Sequence, residues 1–145
     1  MAEVRELSRS ECETLLRRGV VGRVAVAAPS GPHIVPMNYS VIDGSVVVCT
    51  TPYSLLGTYG RDSLLAFEID HIEHARQRGW SVVVRGRAEP VEDPDELSTL
   101  VRILPKAWAA GRRSLYLRIP LSEVTGRRLG EGWDLEGTLP VRRVL

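Results

Sequence analysis

Three short segments combine residue types able to meet a planar, polar-edged ligand, and none of them pairs a nucleophile with a base. In Val35-Pro36-Met37-Asn38-Tyr39 a proline interrupts what otherwise reads as a strand. Proline has no N–H for the ladder, so a strand accepts it only at an edge or a bulge. Asn38 and Tyr39 then bring an amide and an aromatic ring to the interruption. A heteroaromatic ring could use such a place; an ordinary edge strand could equally carry the proline to block pairing with another chain. The second segment, Cys49-Thr50-Thr51-Pro52-Tyr53-Ser54, gathers hydroxyls between a strand and a short helix expected from Leu55. Hydroxyls and N–H groups at a helix start can hold a phosphate, although the same residues cap helices that bind nothing. The third segment, from Gly79 to Ala88, alternates. Trp80, Val82 and Val84 fall on one face, and Ser81, Val83, Arg85 and Arg87 on the other. Trp80 suits a core, an interface or a ring; the two arginines suit solvent or an anion.

Other constellations carry less. His71-x-x-His74, beside Asp70 and Glu73, has metal-compatible residue types. The segment reads as a loop without a further ligand set, so no metal is expected. There is no Ser-His-Asp order, nucleophile elbow or P-loop. The 145 residues are 43% hydrophobic and 26% charged, as in a soluble globular protein. Net charge is +1, and the arginine pairs at 17/18, 112/113, 127/128 and 142/143 match no nucleic-acid motif, so DNA and RNA are not expected as partners. No apolar run approaches the roughly 20 residues that span a bilayer, so no membrane partner is expected either. The charged first residues lack a signal-like apolar region, and Cys12 and Cys49 do not form a C-x-x-C pair. The expectation is a cytoplasmic protein with two reduced, buried cysteines.

The elements that position these segments follow from local signals. Ser8 and Glu11 form a capping box, Leu7 can staple onto Cys12, and Cys12, Leu15 and Leu16 line one helical face ahead of Gly19. Seven strands are expected: 22–28, 33–42, 45–50, 64–70, 80–90, 114–120 and 123–129. Asp43-Gly44 marks a two-residue hairpin, and 71–79 a polar loop. A second long helix is capped by Asp93 and Glu96, starts on Pro94, repeats Leu97, Leu100, Val101 and Leu104, and stops at Pro105. Short strands, tight turns and flanking helices suggest an antiparallel barrel that is closed or nearly so. No linker divides the chain, which reads as a single domain over 1–145 with 130–145 as a C-terminal extension.

Taken in order, VPMNYSVIDGSVVVCTT, LLAFEID, GWSVVVRGRAEPVEDPDEL and LYLRIPLSEVTGRRL closely resemble the pyridoxamine 5′-phosphate oxidase-like, FMN-binding split-barrel family. The resemblance runs from about Leu7 to Leu129. It implies a mainly β fold with flanking helices, a six-stranded antiparallel split β-barrel. It also implies a homodimer with FMN at the interface, acting as a flavin-dependent oxidoreductase on a small-molecule redox substrate. By the same likeness Val35, Pro36, Met37, Asn38 and Tyr39 run along the isoalloxazine ring, and Thr50, Thr51 and Tyr53 lie at the ribityl phosphate. Trp80 and Ser81 approach from a neighbouring strand, and Trp108 covers the site from the partner chain. No catalytic side chain is implied, because the cofactor carries the redox chemistry.

Two departures qualify the match. Relatives commonly carry a Gly-Lys or Arg-Lys pair after the strand end to meet the phosphate, where this chain reads Pro52-Tyr53-Ser54-Leu55-Leu56-Gly57 and has no cation until Arg61. Arg23, Arg61, Arg85 or Arg87 would have to substitute, or the ligand would be a different one such as the deazaflavin F420. The arginine and histidine pair with which pyridoxamine phosphate oxidases grip their substrate has no match here. An F420-binding reductase, a non-catalytic flavin carrier or sensor, and a barrel without cofactor are the alternatives.

Overall fold

Apolar residues at every second position draw most of the chain into strands, and tight turns pair them antiparallel. The computed structural model describes residues 3–104, 106, 108, 111 and 113–131. The helix stop at Pro105, Arg112, the pair at 142/143 and the extension beyond 131 lie outside the described residues.

In chain order the elements are β1 (Val4–Glu6), α1 (Arg9–Arg18), β2 (Val21–Ala28), β3 (Gly31–Asn38), β4 (Ser40–Ile42), β5 (Ser45–Thr50), α2 (Leu55–Tyr59), β6 (Leu64–Glu73), β7 (Arg78–Arg87), β8 (Glu89–Pro90), α3 (Pro94–Ile103), β9 (Leu115–Pro120) and β10 (Glu123–Leu129). One sheet runs β1-β10-β7-β6-β2-β3 and the other β4-β5-β9-β8. The two sheets wrap one core and part where β3 ends the first and β4 begins the second. The fold is therefore the mainly β split barrel expected from the sequence.

Alternation explains what fills it. Val24 and Val26 of β2, Leu65, Phe67 and Ile69 of β6, and Trp80, Val82 and Val84 of β7 all point inward. Val46 and Val48 of β5, with Leu117 and Ile119 of β9, meet them from the other sheet. Helix α1 closes this core with Cys12, Leu15 and Leu16. Its capping box is complete, the Glu11 N–H donating to Ser8 Oγ and the Ser8 N–H to Glu11 Oε1, each at 3.1 Å. The bond from the Ser8 N–H holds the Glu11 carboxyl below its usual range. Helix α3 packs on the outside of the smaller sheet, where Leu100 joins Val47 and Val91.

The seven expected strands become ten. The stretch 33–42 divides at Tyr39, whose ring is fully buried and whose hydroxyl donates to the Leu16 carbonyl at 2.7 Å. That inward turn carries the chain from one sheet to the other. The stretch 80–90 divides likewise at the buried Ala88. Strand β1, which has too few residues to show periodicity, adds an edge beside β10.

The polar loop expected over 71–79 is instead the end of a long hairpin, with pairing continuing to Glu73 and Arg78. Its hydrophilic side chains satisfy one another, since Arg78 forks onto both Glu73 oxygens at 2.8 and 3.0 Å. At α3, Asp93 accepts the Glu96 N–H at 2.9 Å, but the Glu96 carboxylate turns to Arg118 at 2.7 Å instead of closing a capping box. A guanidinium across the sheet is a stronger partner than a backbone N–H.

Candidate functional site

The parting of the sheets leaves a cleft of about 740 Å³. One wall is the outer edge of β3, at Val35, Pro36, Met37 and Asn38; the other is Cys49 of β5 with Tyr116 of β9. Strand β3 is the last in its sheet, which is why Pro36 is tolerated there. Residues 32, 34, 36 and 38 share a backbone direction in an antiparallel strand, so the ladder runs through the odd-numbered residues. The N–H and carbonyl of Asn38 therefore face away from β2, toward the open edge.

The roof comes from α3 and the segment after it, through Val101, Leu104, Lys106, Trp108 and Arg113. The Trp108 N–H donates to Asn38 Oδ1 at 3.0 Å. At the opposite end the Ser114 N–H donates to the Thr50 carbonyl at 3.1 Å.

Around Thr50 the hydroxyls are organised among themselves. Thr50 Oγ1 lies 2.8 Å from Ser54 Oγ, which donates to the Thr51 carbonyl and accepts the Gly57 N–H at 2.9 Å. The Ser54 hydroxyl therefore works as the N-cap of α2. Cys49 and Tyr116 are register partners across β5 and β9. Burial pushes both groups above their usual pKa, so both are neutral at neutral pH. Cys49 is thus half-buried and faces the cleft, whereas Cys12 is the fully buried thiol expected.

Among the described residues lining the cleft only Lys106 and Arg113 carry charge, and both are positive. Apolar walls, an unpaired strand edge and two cations make a space fitted to a flat anionic molecule. The arginines weighed from sequence lie elsewhere. Arg23 is held by Glu68 and Asp70 at 2.8 and 2.7 Å, and Arg85 by Glu123 at 3.0 Å. Arg87 donates to the Asp62 carbonyl, and Arg61 to that of Gly57.

Of the candidate residues named from sequence, the cleft brings together Val35, Pro36, Met37, Asn38, Thr50, Thr51 and Trp108. Trp108 lies on its own chain's cleft. Tyr39 offers its ring to the core, where it meets Phe67 edge-on at 4.7 Å. Tyr53 is 95% exposed and does not line the cleft. Trp80 and Ser81 line a second cavity of about 850 Å³, with Asp70, Arg127 and Arg128. His71 sits beside Trp80, and no three metal-ligating side chains gather among the described residues. Sequence reasoning missed Cys49 with Tyr116, and Lys106 with Arg113. The first pair is visible only once the β5–β9 register is known.

A family model described as pyridoxamine 5′-phosphate oxidase matches residues 8–128. The chain is 34% identical over 132 residues to the uncharacterized protein Rv0080 of Mycobacterium tuberculosis, covering 88% of this chain and 86% of that one. Among solved structures it is similar to the FAD binding protein from Mycobacterium smegmatis, at 29% identity and a TM-score of 0.70, over 90% of this chain and 99% of that one. It is also similar to a FAD-binding protein from Mesorhizobium loti, at 25% identity and a TM-score of 0.69, over 90% of this chain and all (100%) of that one.

Proposed function

The chain belongs to the pyridoxamine 5′-phosphate oxidase family, and from that premise we propose that it is a flavin-nucleotide-dependent oxidoreductase acting on a small molecule. The observation that carries this reading is the cleft itself: a largely apolar space of about 740 Å³ with an unpaired strand edge and only positive charge among its described lining residues. The similarity to two FAD-binding proteins supports it. FMN and FAD share the isoalloxazine ring, the ribityl chain and the first phosphate, and it is this common part that the cleft fits.

A bound flavin supplies hydride transfer at its ring, which is why the site needs no nucleophile of its own. The protein's residues bind and orient. The Pro36 carbonyl and the backbone N–H and carbonyl of Asn38 offer hydrogen-bonding groups to a ring edge, and Met37, Val35 and Val101 exclude water. Thr50 and Thr51 lie at the ribityl end. Trp108 covers the opening, held in place through Asn38.

We further propose a cytoplasmic homodimer with the cofactor at the interface. Trp80 and Ser81 stand in a separate cavity from the other family-matched residues, and pairing of two copies is how residues of both cavities would serve one ligand. No helix among the described residues is long and apolar enough to cross a membrane.

The test is the visible spectrum of purified protein after loading with excess FMN, FAD or F420 and removal of the unbound fraction. Retained flavin absorbance is expected. Retention of F420 alone would replace the cofactor, and retention of none would sink the reading. Asn38→Ala removes the acceptor for the Trp108 N–H and should weaken flavin binding roughly 3- to 10-fold, at a stability cost of about 1 kcal/mol or less. Fluorescence titration with a parallel thermal melt checks both, and unchanged affinity would remove Asn38 from the site.

A further inference from the structure

We infer that Arg113, on the connection from α3 to β9, supplies the cation that the flavin nucleotide's phosphate requires. The inference rests on the flavin reading above and assigns a ligand contact within it. A terminal phosphate carries between one and two negative charges at neutral pH. Hydroxyls alone offer little to such a group here, since Ser54 Oγ is already the cap of α2 and Thr50 is bonded to it. The residues between β5 and α2 bring no cation.

Arg113 stands beside this same end of the cleft. Its neighbour Ser114 donates to the Thr50 carbonyl, and Leu115 is the register partner of Thr50. Arg113 itself lines the cleft together with Cys49, Thr50 and Thr51. Lys106, the other cation of the cleft, stands two residues before Trp108, whose N–H is bonded to Asn38 and not to the Thr50 end. The guanidinium fork suits phosphate oxygens, which it can meet with two parallel hydrogen bonds. The cation thus comes from a different part of the chain, more than fifty residues beyond the strand end where relatives place theirs.

Comparing FMN with riboflavin isolates the phosphate, because the two differ in that group alone. In fluorescence titrations the unaltered protein should prefer FMN, and Arg113→Ala should weaken FMN roughly 10- to 100-fold while leaving riboflavin unchanged. Arg113→Lys keeps the charge without the fork and should restore part of the preference. Arg85→Ala, paired with Glu123 outside the cleft, should leave it intact. If Arg113→Ala keeps the full preference for FMN, or if Lys106→Ala abolishes it in place of Arg113→Ala, the assignment is wrong although the flavin reading stands. If the unaltered protein binds neither compound, this assignment falls, and if it retains no FAD either, the flavin reading falls with it.

Discussion

Phe67→Ala is expected to destabilise the protein by about 3–5 kcal/mol, which is comparable with the whole stability of many domains this size. The ring is fully buried in β6 and meets Tyr39 edge-on, with centroids 4.7 Å apart. Gly22 makes room for it, since a Cβ there would run into the Phe67 ring. Deleting the ring leaves a void behind the point where the chain crosses from β3 to β4. Neighbours on two different sheets cannot both collapse into that void. Chemical denaturation with parallel fluorescence and circular dichroism gives the number, and Phe67→Leu should recover most of the loss. A loss below about 1 kcal/mol would mean that this crossing is not packed as described.

The second large effect is expected at Gly57, in the first turn of α2. A Cβ at this position would collide with the backbone carbonyls of Thr51 and Pro52. No rotamer relieves a clash with backbone, so Gly57→Ala forces α2 away from the end of β5. Overpacking of this kind costs about 1–3 kcal/mol. The shift also breaks the bond from the Gly57 N–H to Ser54 Oγ, which in turn sets Thr50 and Thr51. On the flavin reading the affinity for FMN should drop by about tenfold or more, a loss of at least 1.4 kcal/mol in binding. Titration of a variant shown to be folded by its melt separates the two effects. Wild-type affinity with a wild-type melt would show that α2 does not shape the cleft.

The two predictions probe different levels of the same architecture. Phe67 bears on whether the two sheets stay joined at Tyr39, and Gly57 on whether the strand end and the helix after it keep their spacing. Both feed the cleft without lining it.

Much of this was legible in the sequence wherever the signal is local. Ser8 with Glu11, Asp93 with Pro94, and Asp43 with Gly44 each act within a few residues, and each sits where its spacing implied. Asp43 and Gly44 take the left-handed conformations, φ 48° and 74°, that a tight hairpin between β4 and β5 demands. Alternation likewise sorted the inward from the outward side chains of β7. The Val35 to Asn38 and Thr50 to Thr51 segments announced themselves because a proline in a strand and clustered hydroxyls are unusual residue by residue.

What alternation could not decide is which sheet a strand enters, or what lies across from it. Tyr39 and Ala88 end their strands because each side chain finds a place in a core built by distant segments, and no local pattern encodes that place. The Glu73–Arg78 pairing turned a polar stretch into strand, since a partner across a hairpin matters more than hydropathy at an exposed end. Trp80 and Tyr53 carried the right residue types for a ring site and stand outside the cleft. Arg113 was one of many arginines until the β9 register set it beside Thr50. The sequence by itself determined most of the elements and the family of fold, because short-range forces act along the chain. Only the tertiary structure decided which side chains share the cleft, because that depends on register and on burial between residues far apart in sequence.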